Sequence, residues 1–349
     1  MEHDGTAHAP TAYRVGLSTL EWADAADCYG AWPTPTMIHI DGPYGISGFP
    51  GDPKSYRDLP EAYSRHIAAW TLAATPQTTL WFWGTEVGWA TVHPLLDAAG
   101  WDYQELCVWN KGLSHVAGNV NSKTIRGVPV VTEVCVRYAL RPRLKSTDGI
   151  ELPLKEWVRS EWKRSGIPLC RANEACGVKN AATRKYLTAD DKWYFPPADA
   201  AVAMSAYLTK HGRPTNIPYF SIDRVHPLTE EAWSALRPKW HHIHGVTNVW
   251  TVPQLMSRER IRVEGTGKAL HLNQKPEQLL EYLVATSTDP GDVVWDPFAG
   301  TASMACVANR MGRTCYCAEV SREVAASAGR HLAESWRRDA GSSERMAAS

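Results

Sequence analysis

Six residues, Asp296-Pro297-Phe298-Ala299-Gly300-Thr301, constrain this chain more than any other stretch. Before them, Asp292-Val293-Val294-Trp295 reads as a short buried strand. After them, Ala302 to Met311 reads as a helix, with Met304, Ala305, Val307, Ala308 and Met311 apolar and Gly312 at its stop. A strand, a tight turn holding a glycine and a helix N-terminus bring backbone close to a ligand and turn unpaired N–H groups toward a polar group. Thr314 to Ala318 reads as the next strand and ends at Glu319. A carboxylate about 20 residues past such a glycine turn sits where it can hold a ribose hydroxyl. A plain βαβ packing turn has the same outline, so the rest of the chain must decide.

Length and composition narrow the choice. The 349 residues suffice for one large α/β domain with a smaller inserted one. No run approaches 18 apolar residues, and Met1 to Pro10 lacks a basic-then-apolar leader pattern, so a cytoplasmic protein with no membrane segment is expected. The eight Cys form no Cys-x-x-Cys pair and mostly sit in apolar runs, which points to buried free thiols; no metal site is expected. His241, His242 and His244 cluster beside Trp240 without a second ligand set, and read as a loop. Net charge is zero, yet residues 137–192 carry 13 Lys/Arg against 7 Asp/Glu, a candidate polyanion-facing surface.

Taken in order, Tyr13 to Leu20 reads as a first strand and Thr36 to Ile40 as a buried one. Asp58 to Ala74 reads as a helix capped by Asp58, with Ile67, Trp70 and Leu72 on its apolar side. Leu80 to Trp83 is a strand, Glu86 to Ala99 a helix closed by Gly100, and Glu105 to Asn110 and Pro129 to Tyr138 are further strands. This alternation predicts an α/β fold: a Rossmann-like mixed sheet with helices on both faces. At Arg141 the rhythm changes. Leu152 to Ser165, Leu169 to Cys176 and Ala181 to Leu187 suggest a helical module carrying Lys179, Arg184 and Lys185, suited to a nucleic-acid groove or else simply a solvated insertion. The α/β pattern resumes near Val249. His271 to Pro276 then turns into a helix with Leu279, Leu280, Leu283 and Val284 on one face, and Ala333 to Ser349 looks prone to fray.

A second stretch carries chemistry. Asp41-Gly42-Pro43-Tyr44 leaves the strand at Ile40, where open α/β sheets bind ligands. Asp41 offers a carboxylate acceptor, the Gly42 carbonyl another, Pro43 stiffness and Tyr44 a flat ring. Two acceptors beside a ring fit an aromatic heterocycle bearing an exocyclic amine. Accepting both N–H groups favours a pyramidal nitrogen and localises the lone pair that must attack an electrophile.

Together these residues identify a resemblance. Asp41-Gly42-Pro43-Tyr44 is similar to the Asp/Asn/Ser-Pro-Pro-Tyr signature of amino-group S-adenosylmethionine-dependent DNA methyltransferases. Asn273-Gln274-Lys275-Pro276 resembles their Thr-Gln-Lys-Pro segment, and Asp296 to Thr301 resembles their cofactor loop. Trp109-Asn110-Lys111 and Val249-Trp250 look like further landmarks, and the motif order resembles the β-class arrangement. The resemblance implies the class I methyltransferase fold with an inserted, largely helical target-recognition region. The implied division is 11–140 for the catalytic half, 141–245 for the insert, 246–335 for the cofactor-binding half and 336–349 for a disordered tail.

It also implies that Asp296, Phe298, Ala299, Gly300 and Thr301 contact S-adenosylmethionine, with Glu319 on its ribose and Asn273, Gln274 and Lys275 near its methionine end. Asp41, Gly42, Pro43 and Tyr44 would hold a flipped base, and Lys179, Arg184 and Lys185 would meet double-stranded DNA. Asp41 rather than Ser favours adenine N6 over cytosine N4. A restriction or defence partner and a homodimer are companions that such enzymes suggest. Three departures stand out: Gly42 for a Pro, expected to loosen the turn; Ala302 for a Gly; and Gly16-Leu17-Ser18 where a Gly-Asp near the adenine is expected. They motivate a competing reading, a nucleic-acid binder that kept the fold and lost turnover.

Overall fold

The computed structural model describes residues 12–47, 51–113, 126–255, 260–262, 267 and 273–347. Residues 1–10, expected to be loose, and His271 and Leu272 lie outside them. The chain divides into two compact units, residues 1–140 with 238–349, and residues 141–237.

The first unit is built on nine strands: β1 (Ala12–Val15), β2 (Ser18–Trp22), β3 (Met37–Ile40), β4 (Thr79–Gly84), β5 (Trp101–Asn110), β6 (Thr132–Leu140), β9 (Val249–Trp250), β10 (Val293–Asp296) and β11 (Thr314–Glu319). Two short strands of the second unit, β7 (Arg143–Lys145) and β8 (Glu151–Pro153), form a separate hairpin. Across the large sheet the order is β1-β2-β11-β10-β3-β4-β6-β5-β9. The run from β2 to β4 is parallel throughout, while β1 and β6 are antiparallel to their neighbours and β9 is parallel to β5. The sheet is therefore mixed, as expected.

Both faces are covered, and the side-chain period shows why. In β4, Leu80 and Phe82 point into a core with α1 (Leu59–Ala73) and α2 (Glu86–Ala98), while Trp81 and Trp83 point to the core shared with α7 (Glu277–Ser287), α8 (Ser303–Arg310) and α9 (Arg322–Ala347). α2 starts where Thr85 Oγ1 accepts the Gly88 N–H at 3.0 Å. Asp58 makes no such cap for α1; Ser55 instead accepts from Arg57 N one turn earlier. Leu72, expected on the apolar side, is exposed.

Two segments differ more. Tyr13 to Leu20 is not one strand but the β1–β2 hairpin, turned at Gly16 with φ +58°, so the second strand runs on to Trp22. The tail expected to fray continues α9 to Ala347, and Trp336 packs over Gly16. Its Ala, Glu and Arg content favours helix, and the buried Leu332 anchors its inner face.

The second unit has its own core: Trp157, Val158 and Trp162 of α3 (Leu154–Arg164), Ala172 and Ala175 of α4 (Ala172–Ala175), Met204 and Leu208 of α5 (Ala198–His211) and Trp233 of α6 (Glu230–Ser234). The expected helix over Ala181–Leu187 is a single wide turn, Ala182–Tyr186. Asn173 Oδ1 takes the N–H groups of Ala182 and Thr183 at the start of this turn. Lys179, Arg184 and Lys185 are exposed. Among the described residues no helix is long and apolar enough to cross a membrane. Seven of the eight free cysteines are buried and Cys170 is exposed.

Candidate active site

Strands β2, β11, β10 and β3 are adjacent and parallel, so their carboxyl ends share one edge of the sheet. Between β10 and β3 the connections diverge: β10 leads through α8 to β11 on one side, and β3 through α1 to β4 on the other. That divergence opens a crevice where a ligand can enter. The two sequence motifs leave the sheet at those two strands.

A cavity of ≈ 620 Å³ lies there, lined by Asp41, Gly42 and Pro43 from the first motif and Pro297, Phe298 and Gly300 from the second. Glu319 and Asn273 line it too. Glu319 Oε2 accepts the Gly300 N–H at 3.1 Å and Oε1 the Ser321 N–H at 2.7 Å, so this carboxylate shapes the glycine turn while keeping free lone pairs. Burial pushes the Glu319 carboxyl up, and the Asp296 charge adds to it, against the backbone N–H groups of Ser321, Gly300 and Val320 that pull it down. Asp24, Ala25, Arg65 and His66 are also in the wall. Burial and the neighbouring Arg65 bring His66 down to about 4, so it is neutral near pH 7.

The Asp41 loop is held by side chains, one of them from far along the chain. Lys275 Nζ donates to Asp41 Oδ1 at 2.7 Å and to Tyr44 Oη at 2.9 Å, and Tyr44 Oη donates to the same Oδ1 at 2.9 Å. Asp52 accepts the N–H groups of Tyr44, Gly45 and Ile46. Tyr63 Oη donates to the Pro43 carbonyl at 3.0 Å. Burial raises the Asp41 carboxyl, but Lys275 and His39 outweigh it and hold Asp41 below the ordinary carboxylate range. Among the described residues, Asp41 Oδ2 and the Gly42 carbonyl have no donor.

The family model described as DNA methylase matches residues 36–330 of the chain. The chain belongs to the DNA methylase family. Type II methyltransferase M.HinfI of Haemophilus influenzae is 44% identical over 66 residues, which are 19% of this methylase and 18% of M.HinfI. M1.MboII of Moraxella bovis is 30% identical over 100 residues, 28% of this chain and 38% of its own length. The matches thus span well under half of either relative. The solved PvuII cytosine-N4-specific DNA methyltransferase superposes with a TM-score of 0.50 at 11% identity, covering 94% of each chain. The M1.HpyAVI–SAM complex gives a TM-score of 0.44 at 14% identity over 90% of this chain and 100% of that one. The methylase has the class I methyltransferase fold.

The expected residues of the methylase fall into two groups. Asp41, Gly42, Pro43, Asn273, Phe298, Gly300 and Glu319 line the large cavity. Gln274, Lys275, Asp296, Ala299 and Thr301 instead surround a pocket of ≈ 30 Å³ behind Asp41, together with His39. Asp296 Oδ1 lies 3.1 Å from His39 Nδ1, tying the cofactor loop to β3. Tyr44 is 3% exposed and lines neither space. Nor is the loop slack at Gly42. A Cβ there would lie 2.6 Å from Tyr63 Oη and 2.8 Å from the Phe298 ring, so those two side chains fill the room a larger residue would take. Asp24 escaped the sequence reading because the hairpin moved the strand end from Leu20 to Trp22; Ala23-Asp24 is what reaches the cavity. The His241 loop packs against β6 and the turn after α7, with His241 Nε2 3.0 Å from Asp289 and Trp240 under the Arg137 guanidinium.

Proposed function

We propose that this DNA methylase transfers a methyl group from S-adenosylmethionine to the exocyclic amine of a base flipped out of double-stranded DNA, adenine N6 in preference to cytosine N4. The observation that carries it is that Asp41 and Gly42, whose Oδ2 and carbonyl oxygen have no donor among the described residues, line the same cavity as Phe298, Gly300 and Glu319. The cavity suits that donor. Its volume is in the range of cofactor sites, and Asp24, Asp41, Glu61 and Glu319 give it an acidic wall for a ligand with cationic sulfonium and amine groups. Glu319 would take the ribose hydroxyls, and Phe298, Val320 and Val324 offer apolar surface for a purine ring. When bound, S-adenosylmethionine supplies an electrophilic methyl.

The rest falls to the chain. Asp41 and the Gly42 carbonyl accept the two amine N–H groups, favour a pyramidal nitrogen and stabilise the positive charge that grows on it. Pro43 and the Tyr63 bond fix the angle of attack, and positioning supplies much of the rate. Stacking of Tyr44 on the extruded base, the role its motif implies, requires its ring to leave the buried place where its hydroxyl binds Asp41 and Lys275. The unit at 141–237 would read the target sequence, with Lys179, Arg184 and Lys185 on phosphates. A cognate nuclease and a dimeric state are natural companions of such an enzyme.

Mass spectrometry of nucleosides from DNA incubated with the protein and S-adenosylmethionine tests the reading: N6-methyladenine is expected, N4-methylcytosine would reassign the base, and neither product would overturn it. Replacing Arg184 and Lys185 by Ala should weaken DNA binding at all sequences and flatten the log K against log salt slope by about 0.9 per lost phosphate contact. An unchanged slope would remove both residues from the interface.

A further inference from the structure

Lys275 is carried by the segment before α7, yet its ammonium is spent on the Asp41 loop rather than on the large cavity. Its side chain is 2% exposed. It stands between two carboxylates, 2.7 Å from Asp41 Oδ1 and 3.5 Å from Glu133 Oε2. Glu133 is itself buried on β6, paired through Oε1 with Lys111 at 2.6 Å, and its Oε2 has no hydrogen-bond partner. Two carboxylates and two ammonium groups therefore alternate in a buried row, Asp41, Lys275, Glu133, Lys111. A carboxylate oxygen offers two good lone-pair directions, and Asp41 Oδ1 has both taken, by Lys275 and by Tyr44.

We propose that Lys275 is a positioning residue of the transfer reaction, locking Asp41 by Oδ1 so that the carboxylate stays ionised and presents Oδ2 beside the Gly42 carbonyl to the incoming amine. The inference rests on the function proposed above and refines it. The alternative role for Lys275, binding the methionine end of the donor, predicts a different signature. Loss of a donor contact weakens cofactor binding, whereas loss of an Asp41 anchor lowers turnover and leaves cofactor affinity in place. Electrostatics gives a second signature. The charged or titratable groups around Asp41 are His39 on its own strand, Lys275, Tyr44, Asp52 past the loop, Tyr63 on α1, Glu133 and Cys135 on β6, and Asp296 on β10, which pairs with His39. Of these Lys275 is the cation in direct contact. Without it two buried carboxylates face each other, the carboxyl of Asp41 rises, and its protonated form is the wrong partner for an amine N–H.

The experiment compares wild type with Lys275→Met, Glu133→Gln and the double variant, measuring kcat against pH and donor affinity by calorimetry. Lys275→Met should lose roughly 10²-fold or more in kcat, with its acid limb moved to higher pH and donor affinity within about threefold of wild type. Added methylammonium, or Glu133→Gln in the same chain, should restore part of that loss, because each removes excess negative charge. Glu133→Gln alone leaves Lys275 wholly to Asp41 and should move the acid limb to lower pH, which serves as the readout should Lys275→Met fail to fold. Wild-type turnover with an unimpaired Lys275→Met, a loss confined to donor affinity, a loss neither manipulation restores, or an unmoved limb in Glu133→Gln would overturn the inference. An inactive wild type would instead overturn the function on which it rests.

Discussion

The two loops that meet at the sheet edge are held in opposite ways. The loop after β10 is shaped mainly through backbone atoms: Ala302 N donates to Ala299 O at 2.7 Å, Ala299 N to Ala318 O of β11 at 2.9 Å, and Gly300 and Ala302 both take positive φ, with the Glu319 carboxylate on the Gly300 N–H. The loop after β3 is shaped by side chains: Asp52 a few residues on, Tyr63 of α1, and Lys275, which is 234 residues from Asp41. Backbone-held loops keep their form when side chains change. A side-chain-held loop can be undone from afar, and it can also be tuned from afar.

The largest effect expected from that difference is at Asp41. Asp41→Ala removes the carboxylate acceptor and leaves Lys275 buried without its nearest partner, so kcat should fall by about 10²–10³-fold or more while donor binding survives. Methyl incorporation into DNA, read beside calorimetry, checks it. Normal turnover would show that the β3 loop is not the reacting one. On the other loop the matching change is Glu319→Gln. It replaces a charged acceptor of two hydroxyls by a neutral one, at about 1.5–3 kcal/mol per charged hydrogen bond, or roughly 10²-fold in donor affinity. Here kcat at saturating donor should barely move. Because burial raises the Glu319 carboxyl, it binds its proton at higher pH than an ordinary carboxylate. Hydroxyl donors favour the ionised form, so donor affinity should weaken on acidification earlier than an unperturbed Glu allows. Affinity flat through the weakly acidic range would remove Glu319 from the ribose.

The same contrast explains what the sequence made legible. The β10 loop is specified by neighbouring residues, so strand, turn, helix and Glu319 could be read in place, with ends within a residue or two of those observed. The mixed sheet followed from the alternation of elements. Lys275 was visible as part of a motif, but its attachment to Asp41 depends on a separation of 234 residues, which no local pattern encodes. Glu133, on β6, escaped for the same reason, whereas Asp52 binds N–H groups only six to eight residues before it and carried no motif of its own. Asp24 lies beyond a turn at Gly16 that the apolar pattern of Tyr13 to Leu20 does not mark. In the second unit the short apolar runs fit helix and turn equally well, and the Asn173 side chain that holds the start of the Ala182–Tyr186 turn lies 9 and 10 residues away.

A smaller test sits at the contact between the loops. Gly42 is crowded by Tyr63 and by Phe298 of the β10 loop. Gly42→Ala should destabilise by about 1–3 kcal/mol through overpacking. Tyr63→Phe alone should cost about 1 kcal/mol for the lost bond to Pro43. Combined, they should cost less than their sum, because the hydroxyl at 2.6 Å, the nearest obstruction to a Cβ, is gone. Denaturant titration of the four proteins gives the coupling. Strict additivity would mean that the backbone of the β3 loop shifts instead, and that it is less firmly held than Lys275, Asp52 and Tyr63 suggest.

The smallest effect is expected at Ala302, which tests how firmly backbone conformation holds the other loop. It sits in the left-handed region, φ 58° and ψ 28°, fully buried at the start of α8. Such a conformation costs a non-glycine residue about 1–2 kcal/mol. Ala302→Gly relieves that strain but gives up a buried methyl worth ~0.8 kcal/mol. It also adds freedom to the unfolded chain. The terms nearly cancel, so stability should change by less than about 1 kcal/mol in either direction. Ala302→Val meets the strain with a branched side chain in a site with no free room, and here all the terms have one sign. Val should therefore destabilise by about 2 kcal/mol or more while Gly stays near neutral, as measured by the denaturation midpoint. Equal effects of Gly and Val would mean that the left-handed turn relaxes on substitution, and the β10 loop would then owe its shape to packing rather than to its backbone.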